Sequence, residues 1–192
     1  MSQEVILEVT TPAVNLEVST GTGVKGATGA TGPQGPSGTP ATFDHFATVG
    51  NVDPNETDLY SDSIAGTQLA ANGDKLLVKY AGTTVGHATA TRQIKVKFAG
   101  TTILDTSTFT NAAAGQWSVD GFIERVSTTV VRYVLTFVRS GGADPVVAVG
   151  ELTGLDLGVA NILKITGQAA AAGAASDDIL AILGTIIYVR SA

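Results

Sequence analysis

Between residues 23 and 40 glycine returns at every third position: Gly23, Gly26, Gly29, Gly32, Gly35 and Gly38, in the triplets GVK-GAT-GAT-GPQ-GPS-GTP. A strict period of three has a specific physical use. Three polyproline-II chains can wind about one axis only if every third residue lacks a side chain, because nothing larger than glycine fits there. Pro33 and Pro36 hold X positions and Pro40 a Y position, where a fixed φ suits that backbone. A flexible glycine-rich linker has no cause to keep register. The run therefore predicts a collagen-like stalk, on the order of 50 Å long at ~3 Å per residue, and with it a homotrimer. Six triplets with few prolines are not expected to trimerise unaided, so a neighbouring segment must bring the chains together.

The segment before the stalk, residues 1–22, reads as extended strand. Val5, Leu7 and Val9 alternate with Ile6, Glu8 and Thr10; Val14, Leu16 and Val18 alternate with Asn15, Glu17 and Ser19. LEVTT at residues 7–11 recurs nine positions later as LEVST, with Pro12 barring a continuous ladder between the copies. Two short strands do not hold together alone in water. A frayed terminus fits this pattern, and so does an anchor that adds strands to a neighbouring protein. The anchor is the reading preferred, with Val5, Leu7, Val9, Val14, Leu16 and Val18 as its contact residues.

Residues 41–192 read as an all-β head. Strands are expected over 43–49, 58–65, 75–81, 92–99, 116–126, 129–139, 145–152, 160–167 and 181–190. Ile94, Val96 and Phe98 alternate with Lys95 and Lys97, and Val131, Tyr133, Leu135 and Phe137 share another face. Turn signals separate them: Asn72-Gly73-Asp74, Ala99-Gly100, Gly141-Gly142 and Asp53-Pro54-Asn55. About eight to ten strands at this spacing point to a jelly-roll-like β-sandwich. Residues 167–176 read as a small-residue loop, in preference to a helix over 169–183.

Composition narrows the function. Charged residues are 15% of the chain, against about 25% in an ordinary soluble domain. A surface short of charge is often covered by further copies of itself. The net charge of −6 and the scattering of 11 basic residues argue against a nucleic-acid partner. With no cysteine, disulfides, thiolate catalysis and cysteine-ligated zinc are excluded. Met1-Ser2-Gln3-Glu4 lacks the basic start of a secretion signal. No apolar run reaches the ~18 residues a membrane span needs, and the most apolar stretch, 179–189, is shorter.

Catalytic chemistry finds little support. The two histidines, His45 and His87, stand in no nucleophile context. Ion binding by either is conceivable only through three copies around an axis; His45 reads better as a packing residue between stalk and head, and His87 as a solvated loop residue. Glu56/Asp58 and Asp177/Asp178 are near-neighbour carboxylates, but a glycosidase pair faces a cleft lined with aromatics. Aromatic content is 6%, and Trp117 alternates with Val119 as a core residue would. The glycine run lacks the Lys-Ser/Thr of a phosphate loop. No enzyme, cofactor or metal is expected.

The whole chain resembles tailed-bacteriophage virion appendages, which join a Val/Thr-rich N-terminal tail, here VILEVTTPAVNLEVST, to Gly-X-Y triplets and a C-terminal β-head. The head motifs of the resemblance are DLYSDSIAGTQLAANGDKLLVKYAGT, RQIKVKFAGTTILDT and GQWSVDGFIERV. The resemblance implies a homotrimer with jelly-roll-like heads on the virion, on capsid or tail, and carries no catalytic residue. A capsid decoration or head-fibre protein, held on the major capsid protein or another virion protein through its N-terminal strands, is the first expectation. A tail fibre or adhesin that binds a host-surface glycan is the second, a bacterial or spore-surface collagen-like protein the third, and a depolymerase spike the last.

Overall fold

The computed structural model describes residues 42–52, 54–142, 145–170 and 174–191. The six anchor positions from Val5 to Val18 and the six triplet glycines from Gly23 to Gly38 lie outside the described residues.

Twelve strands, all paired antiparallel, form two sheets among the described residues. In chain order they are β1 (Thr42–His45), β2 (Val49–Gly50), β3 (Thr57–Ile64), β4 (Lys75–Thr84), β5 (His87–Phe98) and β6 (Thr101–Asp105). There follow β7 (Phe109–Asn111), β8 (Gly115–Ser127), β9 (Val130–Arg139), β10 (Val146–Leu152), β11 (Asn161–Ala170) and β12 (Ile179–Val189). Sheet A runs β1-β12-β4-β8-β9-β10, with β2 also on β12; sheet B runs β3-β11-β5-β6, with β7 also on β5. The pairing is nested: β1 with β12, β3 with β11, β4 with β8, β5 with β6. That is the order of a jelly roll, to which β9 and β10 add a hairpin at one end of sheet A.

Period-two patterning explains which side of each strand is inside. Leu76, Val78 and Tyr80 of β4, Ile94, Val96 and Phe98 of β5, and Val131, Leu135 and Phe137 of β9 are all buried. With Trp117, Val119, Ile123, Leu163, Ile165 and Ile186 they fill the space between the sheets. Each fully buried Leu, Ile or Phe contributes about 1.5–3 kcal/mol relative to exposure. Trp117 packs where Gly82 leaves room: a Cβ at Gly82 would stand 1.9 Å from the Leu180 carbonyl oxygen and 2.6 Å from the indole ring.

Buried polar groups tie the loops to this core. Asn51 donates from Nδ2 to the Ala175 carbonyl (3.0 Å) and accepts the Ile179 N–H at Oδ1 (2.8 Å), which fixes the turn before β12. Asp74 accepts the N–H groups of Ala71 (2.7 Å) and Ser191 (2.9 Å) and the Tyr188 hydroxyl (3.1 Å). Burial alone would raise its pKa; these hydrogen bonds outweigh burial and lower it. Arg92 is fully buried in β5, donating from Nη1 to the Ala90 carbonyl (3.2 Å), with Nη2 3.8 Å from the Asp178 carboxylate.

Several expected boundaries are corrected. The strand expected over 43–49 is two, β1 and β2, separated at 46–48, where Phe46 is 73% exposed. The strand expected from residue 92 begins at His87, so the supposed polar loop is its first turn-side segment. Strands β6 and β7 were not expected. β6 returns through a tight hairpin in which Ala99 (φ 48°) and Gly100 (φ 80°) both take positive φ, the geometry that matches strand twist. The small-residue loop expected from 167 begins later: β11 continues to Ala170, because Gly167 and Ala169 are small to pack inside. A Cβ at Gly167 would lie 3.1 Å from Leu59, and Ala169 is fully buried. Trp117 is buried, as its alternation with Val119 suggests, and its indole N–H donates to the Thr83 carbonyl at 3.2 Å.

Candidate functional site

The titratable residues singled out in the sequence are spread across the sandwich. His45, at the end of β1, stacks on Tyr60 with ring centroids 4.5 Å apart, and its Nε2 lies 2.9 Å from both oxygens of the buried Asp62. This is head packing; the stalk side of the expected contact lies outside the described residues. His87 turns back on its own strand, where its Nδ1 accepts the Ala90 N–H at 3.1 Å. No group of three His, Cys, Asp or Glu side chains placed to hold a metal ion occurs among the described residues.

Three of the four carboxylates Glu56, Asp58, Asp177 and Asp178 are held in ion pairs. Glu56 bonds Lys95 (3.1 Å), Lys97 and the Thr166 hydroxyl (3.0 Å). Burial pushes its pKa up, but the bonds from Lys97, Lys95 and Thr166 prevail and bring it from 4.5 to about 2. A carboxyl ionised down to that range is no general acid near neutral pH. Asp58 pairs with Lys164 at 2.8 Å. Asp178 accepts the Ala175 N–H at 2.9 Å beside Arg92, while exposed Asp177 takes φ 63° in the turn.

The Glu56 and Asp58 pairs belong to the outer face of sheet B, which is mostly polar: Ser61 and Ser63 on β3, Lys164 and Thr166 on β11, Gln93, Lys95 and Lys97 on β5 and Asp105 on β6, with Ile162 of β11 exposed among them. Gln93 completes the pattern by donating to Asp105 at 2.7 Å.

The outer face of sheet A differs. Strand register aligns Ile187 with Leu77, Leu77 with Phe122, Phe122 with Val134, and Val134 with Val149. These five side chains form one apolar ladder across β12, β4, β8, β9 and β10. They point away from the core, since their strand neighbours Ile186, Val78, Ile123 and Leu135 are buried. Leu77 is 41% and Val149 69% exposed, and Val147 on the same edge strand is 57% exposed. Charged rows frame the ladder. On one side Lys75, Glu124, Arg132 and Glu151 stand in register; on the other stand Asp44, Thr185, Lys79, Asp120 and Thr136. Lys75 also lies 5.6 Å from the centre of the Phe122 ring. Toward one end a mixed row, Leu183, Ala81, Ser118 and Val138, borders a depression of about 470 Å³ lined in part by Trp117.

An exposed apolar band with a charged rim is the anatomy of a protein-binding surface. Sequence reasoning did not find it. Its members are scattered from Leu77 to Ile187 and look like ordinary strand residues until register brings them together.

No family model matches the chain, and no curated protein matches it in sequence. Among solved structures it is similar to chains from the structures of infectious bursal disease virus Gx strain and Gt strain. Identities are 11% and 12%, and the TM-score is 0.31 for both. The alignments cover 78% and 81% of this chain but 40% and 43% of those chains, so this chain spans less than half their length. A likeness of that extent carries no functional assignment.

Proposed function

We propose that this chain is a structural protein of a virion, a homotrimer that decorates the outside of a capsid and attaches through its N-terminal strands. The observation that carries the reading is one of order along the chain. Six Gly-X-Y triplets, which have a use only when three chains meet, end at residue 40, and a β-sandwich with an exposed apolar sheet face opens at Thr42. A collagen-like stalk, an adhering tail and a jelly-roll head are the parts of a short appendage. The tight ion pairing of Glu56 and Asp58 favours a structural over a catalytic reading.

Immunogold labelling of purified virions with antibody to residues 42–192 tests the proposal. Gold spread over the capsid is expected. Gold confined to the tail tip favours the receptor-binding fibre, with a host glycan as partner, and absence of gold from the particle refutes the virion reading. Removing residues 1–22 is expected to abolish particle binding while the circular dichroism of the head is unchanged; a truncated protein that still binds capsids sinks the anchor.

A further inference from the structure

We propose that copies of this chain associate through the outer face of sheet A, the β9–β10 hairpin of each copy covering the β4–β12 half of the next. The inference rests on the trimer reading above and names the surface that makes the trimer.

Chain entry is the first argument. The last triplet occupies residues 38–40, and Thr42 stands opposite Ile187, at the end of the apolar ladder. Thr42 is therefore where each chain enters sheet A, at its β1 edge. A closed ring of three requires a heterologous contact, in which each copy offers two different surfaces. Sheet A supplies both, because its outer face is divided in charge. Lys75 and Lys79 lie on β4; Asp120 and Glu124 lie on β8 and Glu151 on β10, with Arg132 among them on β9. Lys75 and Lys79 already lie 3.9 and 3.8 Å from Glu124 and Asp120 of their own chain; seating the β9–β10 hairpin of one copy over the β4–β12 half of the next joins the two halves of the ladder and brings Glu151 toward that lysine strand.

The β10 edge strengthens the case. Its second edge has no strand partner among the described residues. Strand Val146–Leu152 holds no Lys or Pro, the usual protections of an open edge, and displays Val147 and Val149. The outer face of sheet B carries no such ladder: Lys95 and Lys97 pair with Glu56, and Lys164 with Asp58.

The test compares full-length proteins by size-exclusion chromatography with light scattering. The wild type is expected at trimer mass. The variant Leu77→Arg/Val149→Arg is expected to associate more than about 100-fold more weakly, since two buried anchors are lost. Its circular dichroism and urea midpoint should match the wild type, because both side chains are exposed in the single chain. Ser61→Arg/Ser63→Arg, on sheet B, should remain trimeric. A folded Leu77→Arg/Val149→Arg protein that stays trimeric overturns the proposed face and leaves the trimer standing; a monomeric wild type overturns both.

The absence of native cysteine permits a second measurement. Leu77→Cys/Val149→Cys joined by a short bismaleimide should give closed trimers on a denaturing gel. Dimers alone would place the contact on a two-fold axis and overturn the ring.

Discussion

The outer faces of the two sheets are built from the same strand alternation, yet they dispose of their side chains in opposite ways. On sheet B the lysines of β5 and β11 reach carboxylates of the same chain: Lys95 and Lys97 to Glu56, Lys164 to Asp58. Water can wet such a face without cost. On sheet A the middle row is Ile187, Leu77, Phe122, Val134 and Val149, and the charges stand to either side, Lys75 beside Glu124 and Lys79 beside Asp120. Both faces leave the inter-sheet core intact, and the trimer proposed above gives the difference a use. With only 15% charged residues, placing them on one face and around the rim of the other would, in that trimer, separate a solvent side from a partner side.

The sharpest way to break this comparison is on one strand, at two consecutive residues. Leu135 of β9 is fully buried between the sheets, and Val134 beside it is part of the outer ladder. Leu135→Ala is expected to cost about 2–5 kcal/mol in urea unfolding, the loss of transfer energy plus the cavity left behind. Val134→Ser should change the single head's stability by less than about 1 kcal/mol and instead weaken association, seen as a lower trimer mass fraction on dilution. If Val134→Ser destabilises the monomer as much as Leu135→Ala does, the ladder is core and not interface.

How much of this was legible beforehand follows from where each signal lies along the chain. Strands with an uninterrupted period of two, such as Lys75–Thr84 and Val130–Arg139, stood out because one face is fully buried and alternation is local. β6 and β7 were missed for a physical reason: they are short, and Thr101-Thr102-Ile103-Leu104 does not alternate. The Ala99-Gly100 turn was visible but was read only as an end to β5. Gly167 and Ala169 suggested a loop because small residues are common there, whereas here they are small to fit against Leu59 and Ile179. The ladder was beyond reach, since it depends on five strands whose register comes from tertiary pairing. The same holds for Glu56, whose partners lie at residues 95, 97 and 166.

Glu56 supplies the next prediction, on the polar side of the comparison. Its folded pKa of about 2 lies below the ordinary 4.5, so the ionised form favours folding. That contribution is complete above about pH 5 and disappears as pH falls through the folded value. Discounted for partial exposure, it is worth about 1–2 kcal/mol. Glu56→Gln should lower the unfolding free energy from urea titration by that amount at neutral pH and converge with wild type near pH 2, with no change in oligomeric state. A loss of equal size at both pH values would assign the effect to packing and not to charge.

The smallest effect is expected where charge lies on the other face. Lys79 and Asp120 stand 3.8 Å apart on sheet A with side chains 59% and 52% exposed. Exposed pairs of this kind are worth less than about 1 kcal/mol. Lys79→Ala should therefore leave the unfolding free energy from urea titration within about 0.5 kcal/mol of wild type, well under the loss at Glu56. Its consequence should appear in association, because a rim charge acts on encounter rate and salt dependence more than on the fold. In stopped-flow reassembly of diluted protein, Lys79→Ala should slow trimer formation at low salt and match wild type at high salt. An unaltered rate at low salt would mean that Lys79 serves only its own chain, as the lysines of sheet B do, and would remove the charge argument for which half of sheet A meets which.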